Sequence, residues 1–410
     1  MTTRRRPGLG TNQELARRHN LGTVLRHVHG AGQISRAELT GLMGLNRSTI
    51  AALVNELEAL GITERVLPVE GTPRQGAGRP SAGVRIAEQG PFVIAVDLGV
   101  DRAVVARIGL GGRVLQRAQA PVRSDGEAWQ VGAAVAGLIR CVVEEVPDAA
   151  QLVGIGISVP GLVRSSDGLI RLAPNLEWHD VSFGGIVLAA LGLDVPVSIA
   201  NDADLGALAE HVRGVAVGVD DLIYVSGNVG VGAGVITGGV RLEGAGGYAG
   251  EVGHLAFNPA GRECHCGNRG CWETEVGAHA IAEAIHCPAD KVAQLDEVLD
   301  GFGEPSPALR ATGTALGHGL ASIVNVFNPR QVVLGGYFRS LYALVGPEVE
   351  AGLADRALPA PLESVTLTLP GLGSDSSLLG AAEIALEPLF VDPVAALGTA
   401  LVGIGTRLAG

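Results

Sequence analysis

The chain has 410 residues, 47% of them hydrophobic and 18% charged, and a net charge of −12; that length allows two or three domains with sizeable cores. No stretch of about eighteen uncharged apolar residues occurs, and residues 1–6 carry no apolar signal run, so neither a membrane span nor an export leader is expected. Five cysteines, three of them clustered like metal ligands, argue against a disulfide framework and for a reducing cytoplasm.

The charge is unevenly placed. Residues 1–85 carry twelve Arg and six Glu, a net of +6, so the remainder carries −18. A basic N-terminal part is drawn to phosphate and an acidic body is repelled by it, which suggests two jobs on one chain. Residues 13–29 predict a helix, and residues 34–65 a helix-turn-helix. Ser35-Arg-Ala-Glu38 is a capping box, and Gly44 permits the left-handed turn that ends its helix. Asn46 caps a second helix, whose Ile50, Leu53, Val54, Leu57 and Leu60 share one face. The exposed first turn of that helix carries Asn46, Arg47, Ser48 and Thr49, side chains of the types that reach base edges in the major groove. Gly61 stops the helix and residues 62–66 begin a wing strand. Residues 73–80 then form a basic loop, from which Arg74 and Arg79 are suited to phosphate or a minor groove. A winged helix-turn-helix over residues 11–72 is therefore expected, followed by a basic wing and linker over 73–89. A helical bundle used for dimerisation is the alternative.

After Gly90 the pattern becomes α/β. Residues 92–99 are a buried β-run ending in Asp97 and Gly99, and residues 102–108 pair back on it. A helix follows over about 128–146, then a strand over 152–159 that ends in Pro160-Gly161. A short strand at 197–200 delivers Asn201-Asp202, and a helix covers about 204–212. A second hairpin opens at 222–226, with the glycine-rich run 227–234 in its turn. Two similar strand–glycine turns indicate two related lobes. Residues 374–386 predict a helix that packs back on the first lobe. Cys141 and Cys287 read as plain thiols, and the tail after Pro393 has no assignment.

Cys264, Cys266 and Cys271 form a Cys-x-Cys-x4-Cys run that begins ten residues after His254. Three thiolates and one imidazole complete the tetrahedral shell of a structural zinc. Such a site locks a glycine-rich loop that has little apolar content of its own. Glu251, three residues before the histidine, suggests that the metal shapes a binding site.

Asp97-Leu-Gly99, Val159-Pro-Gly161, Asn201-Asp-Ala203, Gly230-x-Gly-Ala-Gly234, Glu251-x-Gly-His254 and the cysteine run, in this order, resemble the ROK family of repressors, open reading frames and sugar kinases. The resemblance covers about residues 90–390. With the N-terminal module it extends over nearly the whole chain, to the repressor branch. It implies a two-lobed actin-like (RNase H-like) body with a sugar between the lobes. Lobe 1 would span 90–205, completed by a helix at 374–390; lobe 2 would span 206–373, with the zinc loop at 254–271. It also implies that Asn201 and Asp202 hydrogen-bond sugar hydroxyls, Asp202 standing where the family's kinases keep their base. Glu251 and Glu273 would accept from other hydroxyls. His254 would give one ring nitrogen to zinc and turn the other to the sugar, and Asn175 would be a further cleft residue. Residues 332–336 resemble the family's adenosine-side strand and turn.

Phosphoryl transfer needs a nucleotide cradle as well as a base. The family's kinases read Asp-x-Gly-Gly-Thr-Lys at the first turn, where this chain reads Asp97-Leu-Gly-Val-Asp-Arg102. Val100 adds bulk, and Asp101 puts an anion where phosphate sits. Two like charges 4 Å apart repel by about 4 kcal/mol at an effective dielectric of 20. At the second turn, Gly-Thr-Gly becomes Asn228-Val-Gly230, a methyl for a hydroxyl. The expectation is a sugar-responsive repressor of carbohydrate-metabolism genes without useful kinase activity. It would act as a homodimer or homotetramer on double-stranded operator DNA, with a sugar or amino sugar as effector. Three alternatives stay open: an active ATP-dependent sugar kinase with an appended DNA module, a regulator whose cleft no longer takes sugar, and a zinc sensor.

Overall fold

The computed structural model describes residues 13–66, 83–122 and 126–408; Arg74 and Arg79 lie outside them. The chain opens with α1 (Gln13–Ala31), β1 (Gln33–Ser35), α2 (Arg36–Met43), α3 (Arg47–Ala59), β2 (Thr63–Val66) and β3 (Gly83–Ile86). The capping box forms in both directions: the Glu38 amide donates to the Ser35 hydroxyl at 3.1 Å, and the Ser35 amide donates to the Glu38 carboxylate at 2.8 Å. Gly44 then leaves α2 with φ 63°. Apolar faces of the three helices (Val24 and Leu25, Leu39, Ile50 and Leu57) meet in one buried cluster. The strands order as β1-β3-β2, all antiparallel. A helix-turn-helix backed by this sheet is a winged helix and not a helical bundle. Residues 83–86, read from the sequence as linker, supply its central strand. Only Val84 of the four is fully buried, too short a signal to mark a strand.

The first lobe contains β4 (Phe92–Leu98), β5 (Arg102–Gly109), β6 (Arg113–Pro121), α4 (Ala128–Val143), β7 (Gln151–Val159), β8 (Leu162–Val163), β9 (Ile170–Ala173), β10 (Trp178–Val181), α5 (Phe183–Leu191), β11 (Val197–Asn201) and α6 (Asp202–Arg213). Its main sheet runs β11-β7-β4-β5-β6. The first three strands are parallel and the last two antiparallel. Nearly every side chain of β4 and β7 is buried, because helices cover both faces of the sheet. The carboxyl ends of β4, β7 and β11 lie side by side, bringing Asp97, Gly161 and Asn201 to one edge. Open α/β sheets bind ligands at that edge.

The second lobe contains β12 (Leu222–Gly227), β13 (Val231–Thr237), β14 (Val240–Arg241), α7 (Glu273–Val276), α8 (Ala278–Ala284), α9 (Leu295–Asp300), α10 (Pro307–Phe327), β15 (Gln331–Gly336), α11 (Phe338–Arg356), α12 (Pro359–Ser364) and β16 (Thr366–Thr368). Its sheet orders as β14-β13-β12-β15-β16, so a second antiparallel hairpin answers β4 and β5. The turn of that hairpin is shorter than the glycine run suggests, because Gly232 and Gly234 belong to β13. A Cβ on Gly234 would fall 2.4 Å from the Ala203 carbonyl, so glycine lets the strand lie against α6.

The chain then returns to the first lobe as α13 (Ser376–Val391), α14 (Pro393–Thr399), β17 (Leu401–Val402) and α15 (Ile404–Leu408). α13 lies so close to the sheet that a Cβ on Gly156 would fall 1.8 Å from the Ala381 carbonyl. The unassigned tail is part of the lobe: β17 pairs antiparallel with the start of β7, and Ile404 is buried. Among the described residues, no helix is long and apolar enough to cross a membrane.

Candidate functional site

A cleft of about 410 Å³ opens between the lobes, and Asn175, Asn201, Asp202, Glu251, His254 and Glu273 all line it. Asn201 ends β11 and caps α6. Its Oδ1 accepts from the amides of Ala203 at 2.9 Å and Asp204 at 3.4 Å, and its Nδ2 donates to the Gly161 carbonyl at 3.1 Å. Most of the Asn201 amide is thus committed to backbone, leaving one N–H for a ligand. Asp202 opens α6, where the helix N-terminus favours a carboxylate. Its Oδ1 accepts from the Ala203 amide at 2.9 Å and its Oδ2 from the Asn228 side chain at 2.6 Å. Burial pushes Asp202 up to about 6, against the Asn228 hydrogen bond and with help from the Asp97 charge. Burial, then the charges of Asp202 and Glu273, push Glu251 up to about 7. The cleft therefore offers two carboxyl groups that accept from hydroxyls when ionised, which suits a neutral polyhydroxylated ligand.

Glu273 opens α7 and is 8% exposed. His254 Nδ1 lies 3.5 Å from Glu273 Oε1 and 3.7 Å from Cys264 Sγ, while its Nε2 faces Glu251 at 3.9 Å. The ligand atoms of His254, Cys264, Cys266 and Cys271 all lie within 4.8 Å of one another, with Cys266 Sγ and Cys271 Sγ 3.7 Å apart. Tetrahedral zinc with Zn–S bonds near 2.3 Å separates its sulfur ligands by roughly 3.7 Å, so these four residues fit the ion. They would hold it through Nδ1 and three thiolates, leaving Nε2 on the cleft side. Val100, Asp101 and Val229 line the same cleft.

In the N-terminal module, Asn46, Arg47 and Ser48 are exposed and Thr49 is half-buried. Asn46 Oδ1 accepts from the Thr49 amide at 2.8 Å and from the hydroxyls of Ser48 at 2.7 Å and Thr49 at 3.0 Å. That set builds the cap of α3, and Arg47 alone of the four has an uncommitted side chain among the described residues. Two cleft residues escape sequence reasoning. Asn228 was visible only as part of a glycine turn, with no sign that it reaches Asp202. His265 stands between two cysteines and faces the cleft, its Nδ1 3.4 Å from Glu273 Oε1.

A winged helix seated on a kinase-like pair of lobes defines a class of protein, the regulators built on a sugar-kinase scaffold. The ROK family model matches residues 93–387, and the chain belongs to the ROK family, in its repressor branch. Over 381 residues it is 29% identical to the xylose repressor of Bacillus spizizenii, covering 92% of this chain and 97% of that protein. Over 362 residues it is 25% identical to the N-acetylglucosamine repressor of Escherichia coli O157:H7, covering 85% and 88%. The crystal structure of a ROK family transcriptional regulator, a homologue of the E. coli MLC protein, matches with a TM-score of 0.74 at 25% identity, over 93% of this chain and 99% of that one.

Proposed function

We propose that this protein is a sugar-responsive transcriptional repressor, with operator DNA held by the winged helix and the effector held between the lobes. The observation that carries the reading is the contrast within one cleft. The carboxylates suited to sugar hydroxyls are present, while the phosphate side carries Asp101 and the supposed base is engaged by Asn228. Asp202, Glu251, Glu273 and Asn175 orient the sugar, Asn201 shapes the turn beside it, and His254 contributes Nε2. Zinc bound by His254, Cys264, Cys266 and Cys271 holds the loop that presents these groups. Arg47 reads a base edge from α3, and Arg74 and Arg79 add contacts to phosphate or a minor groove.

The relatives named for xylose and for N-acetylglucosamine support an aldose or amino sugar as effector. A homodimer or homotetramer meets two half-sites together, so a small change in module spacing removes much of the affinity. The sugar acts by binding one of the two placements more tightly than the other. The test is fluorescence anisotropy of zinc-replete protein on DNA from upstream of its own gene, with a panel of aldoses and amino sugars and no ATP. A tenfold shift in affinity, about 1.4 kcal/mol of coupling, supports the reading and names the effector. DNA binding indifferent to every sugar argues for a vestigial cleft.

A further inference from the structure

Two buried polar side chains and a partly buried arginine, all outside the cleft, meet where the DNA module joins the body. His29 of α1 is 2% exposed and Glu383 of α13 is 5% exposed. The Gly111 amide donates to His29 Nδ1 at 2.9 Å, while His29 Nε2 lies 3.0 Å from Glu383 Oε2 and meets the terminal nitrogen of Arg213. Arg213, the last residue of α6, donates from Nε to Glu383 Oε1 at 2.8 Å and from its terminal nitrogen to the same carboxylate. Buried charge sets of this kind add little stability, yet they fix one geometry, because a displaced member is left unpaired in a dry site.

Two of the three helices that supply this cluster, α6 and α13, begin at the cleft. α6 starts with Asp202 and reaches Arg213 after 12 residues, a rod of about 18 Å. α13 is fastened to it at the cleft, where the Ser377 hydroxyl donates to the Asp202 carbonyl at 3.1 Å. One turn on, a Cβ on Gly380 would fall 2.0 Å from the Leu205 carbonyl, so the backbones touch and the pair moves as one body. At the far end a Cβ on Gly22 would fall 2.1 Å from the Phe390 carbonyl, so α1 sits directly on α13.

We propose that His29, Glu383 and Arg213 are the positioning residues that couple the cleft to the DNA module. Engagement of Asp202 by a sugar shifts α6, and Arg213 and Glu383 pass the shift to α1 through His29. The inference rests on the repressor reading and deepens it by naming the joint.

The test compares duplex affinity with and without saturating D-xylose or N-acetylglucosamine, using zinc-replete full-length protein and the upstream duplex. The wild type is expected to show a ratio of tenfold or more. Glu383→Gln and His29→Phe are each expected to show less than threefold, with sugar affinity measured on the protein alone changed less than twofold. His29→Phe keeps the Arg213–Glu383 pair while removing the His29 contacts to it and to the Gly111 amide, so it decides the matter should Glu383→Gln lose its melting transition. A wild-type ratio that persists within twofold in the folded variants overturns the joint and leaves the repressor reading standing. A wild type with no ratio for either sugar or for any other member of the aldose and amino-sugar panel overturns both.

Discussion

The Asn228 side chain donates to Asp202 Oδ2 across 2.6 Å, tying the glycine turn of the second lobe to the first residue of α6. A carboxylate oxygen held in this way is poorly placed to take a proton from an attacking hydroxyl, but it remains part of a hydrogen-bonding cleft. Asp202→Asn is expected to weaken sugar binding tenfold or more by calorimetry. The wild type, given ATP and the same sugars, is expected to release no ADP above background.

Sugar affinity should depend on pH. Asp202 and Glu251 titrate near 6 and 7, both raised chiefly by burial. Above about pH 8 both are ionised and accept from hydroxyls; as pH falls through 7 towards 5 they gain protons and those acceptors are lost. Affinity for a neutral aldose is expected to be greatest near pH 8 and to decline below 7. A flat calorimetric profile between pH 5.5 and 8 would count against these two carboxylates as ligands.

Burial also pushes Asp204 up to about 7, against the nearby Arg241 charge. Its folded value exceeds the unfolded one near 3.9, so the ionised form is the destabilising one. That penalty is absent below about pH 4 and complete above pH 7. Asp204→Asn is therefore expected to melt at a higher temperature than the parent at pH 8, with the advantage shrinking as pH falls to 5.

Removal of the metal should reach the cleft as well as the loop. His254 and Glu273 sit at the boundary of both, 3.5 Å apart. Cys271→Ser, or chelation at neutral pH, is expected to lower the melting temperature and to weaken sugar binding at least tenfold, since structural zinc contributes folding energy directly. Metal analysis before and after chelation, paired with calorimetry, checks both effects.

On the DNA side, Arg47 and Asn46 should behave differently. Arg47→Ala removes an uncommitted guanidinium and is expected to cost about 1–3 kcal/mol of operator affinity with little change in melting. Asn46→Ala removes the cap that gathers Thr49 and Ser48, and is expected to cost about 1 kcal/mol of module stability. Anisotropy and thermal melting on the two variants separate reader from cap.

Much of this was legible where chemistry is local. The Ser35–Glu38 box, the Gly44 turn and the Cys-x-Cys-x4-Cys run each declare themselves within a few residues, and each formed as the local rules require. What stayed hidden depended on partners far apart in sequence. His29 and Glu383 are 354 positions apart, and one histidine among the three of α1 gives no hint of such a partner. β3 was missed because four residues with one buried side chain lack a period to read. The tail after Pro393 was missed because β17 is two residues long and takes its identity from the edge of β7.

The seat of the DNA module has a consequence for the order in which the molecule becomes competent. α1 leaves the ribosome some 350 residues before the surface it rests on, from Glu383 to Phe390. Domains fold largely as they emerge. The winged helix shares its buried cluster with α13, so it waits for some 350 further residues before its orientation is set. A nascent or C-terminally truncated chain would carry its N-terminal helices with no fixed bearing on the body.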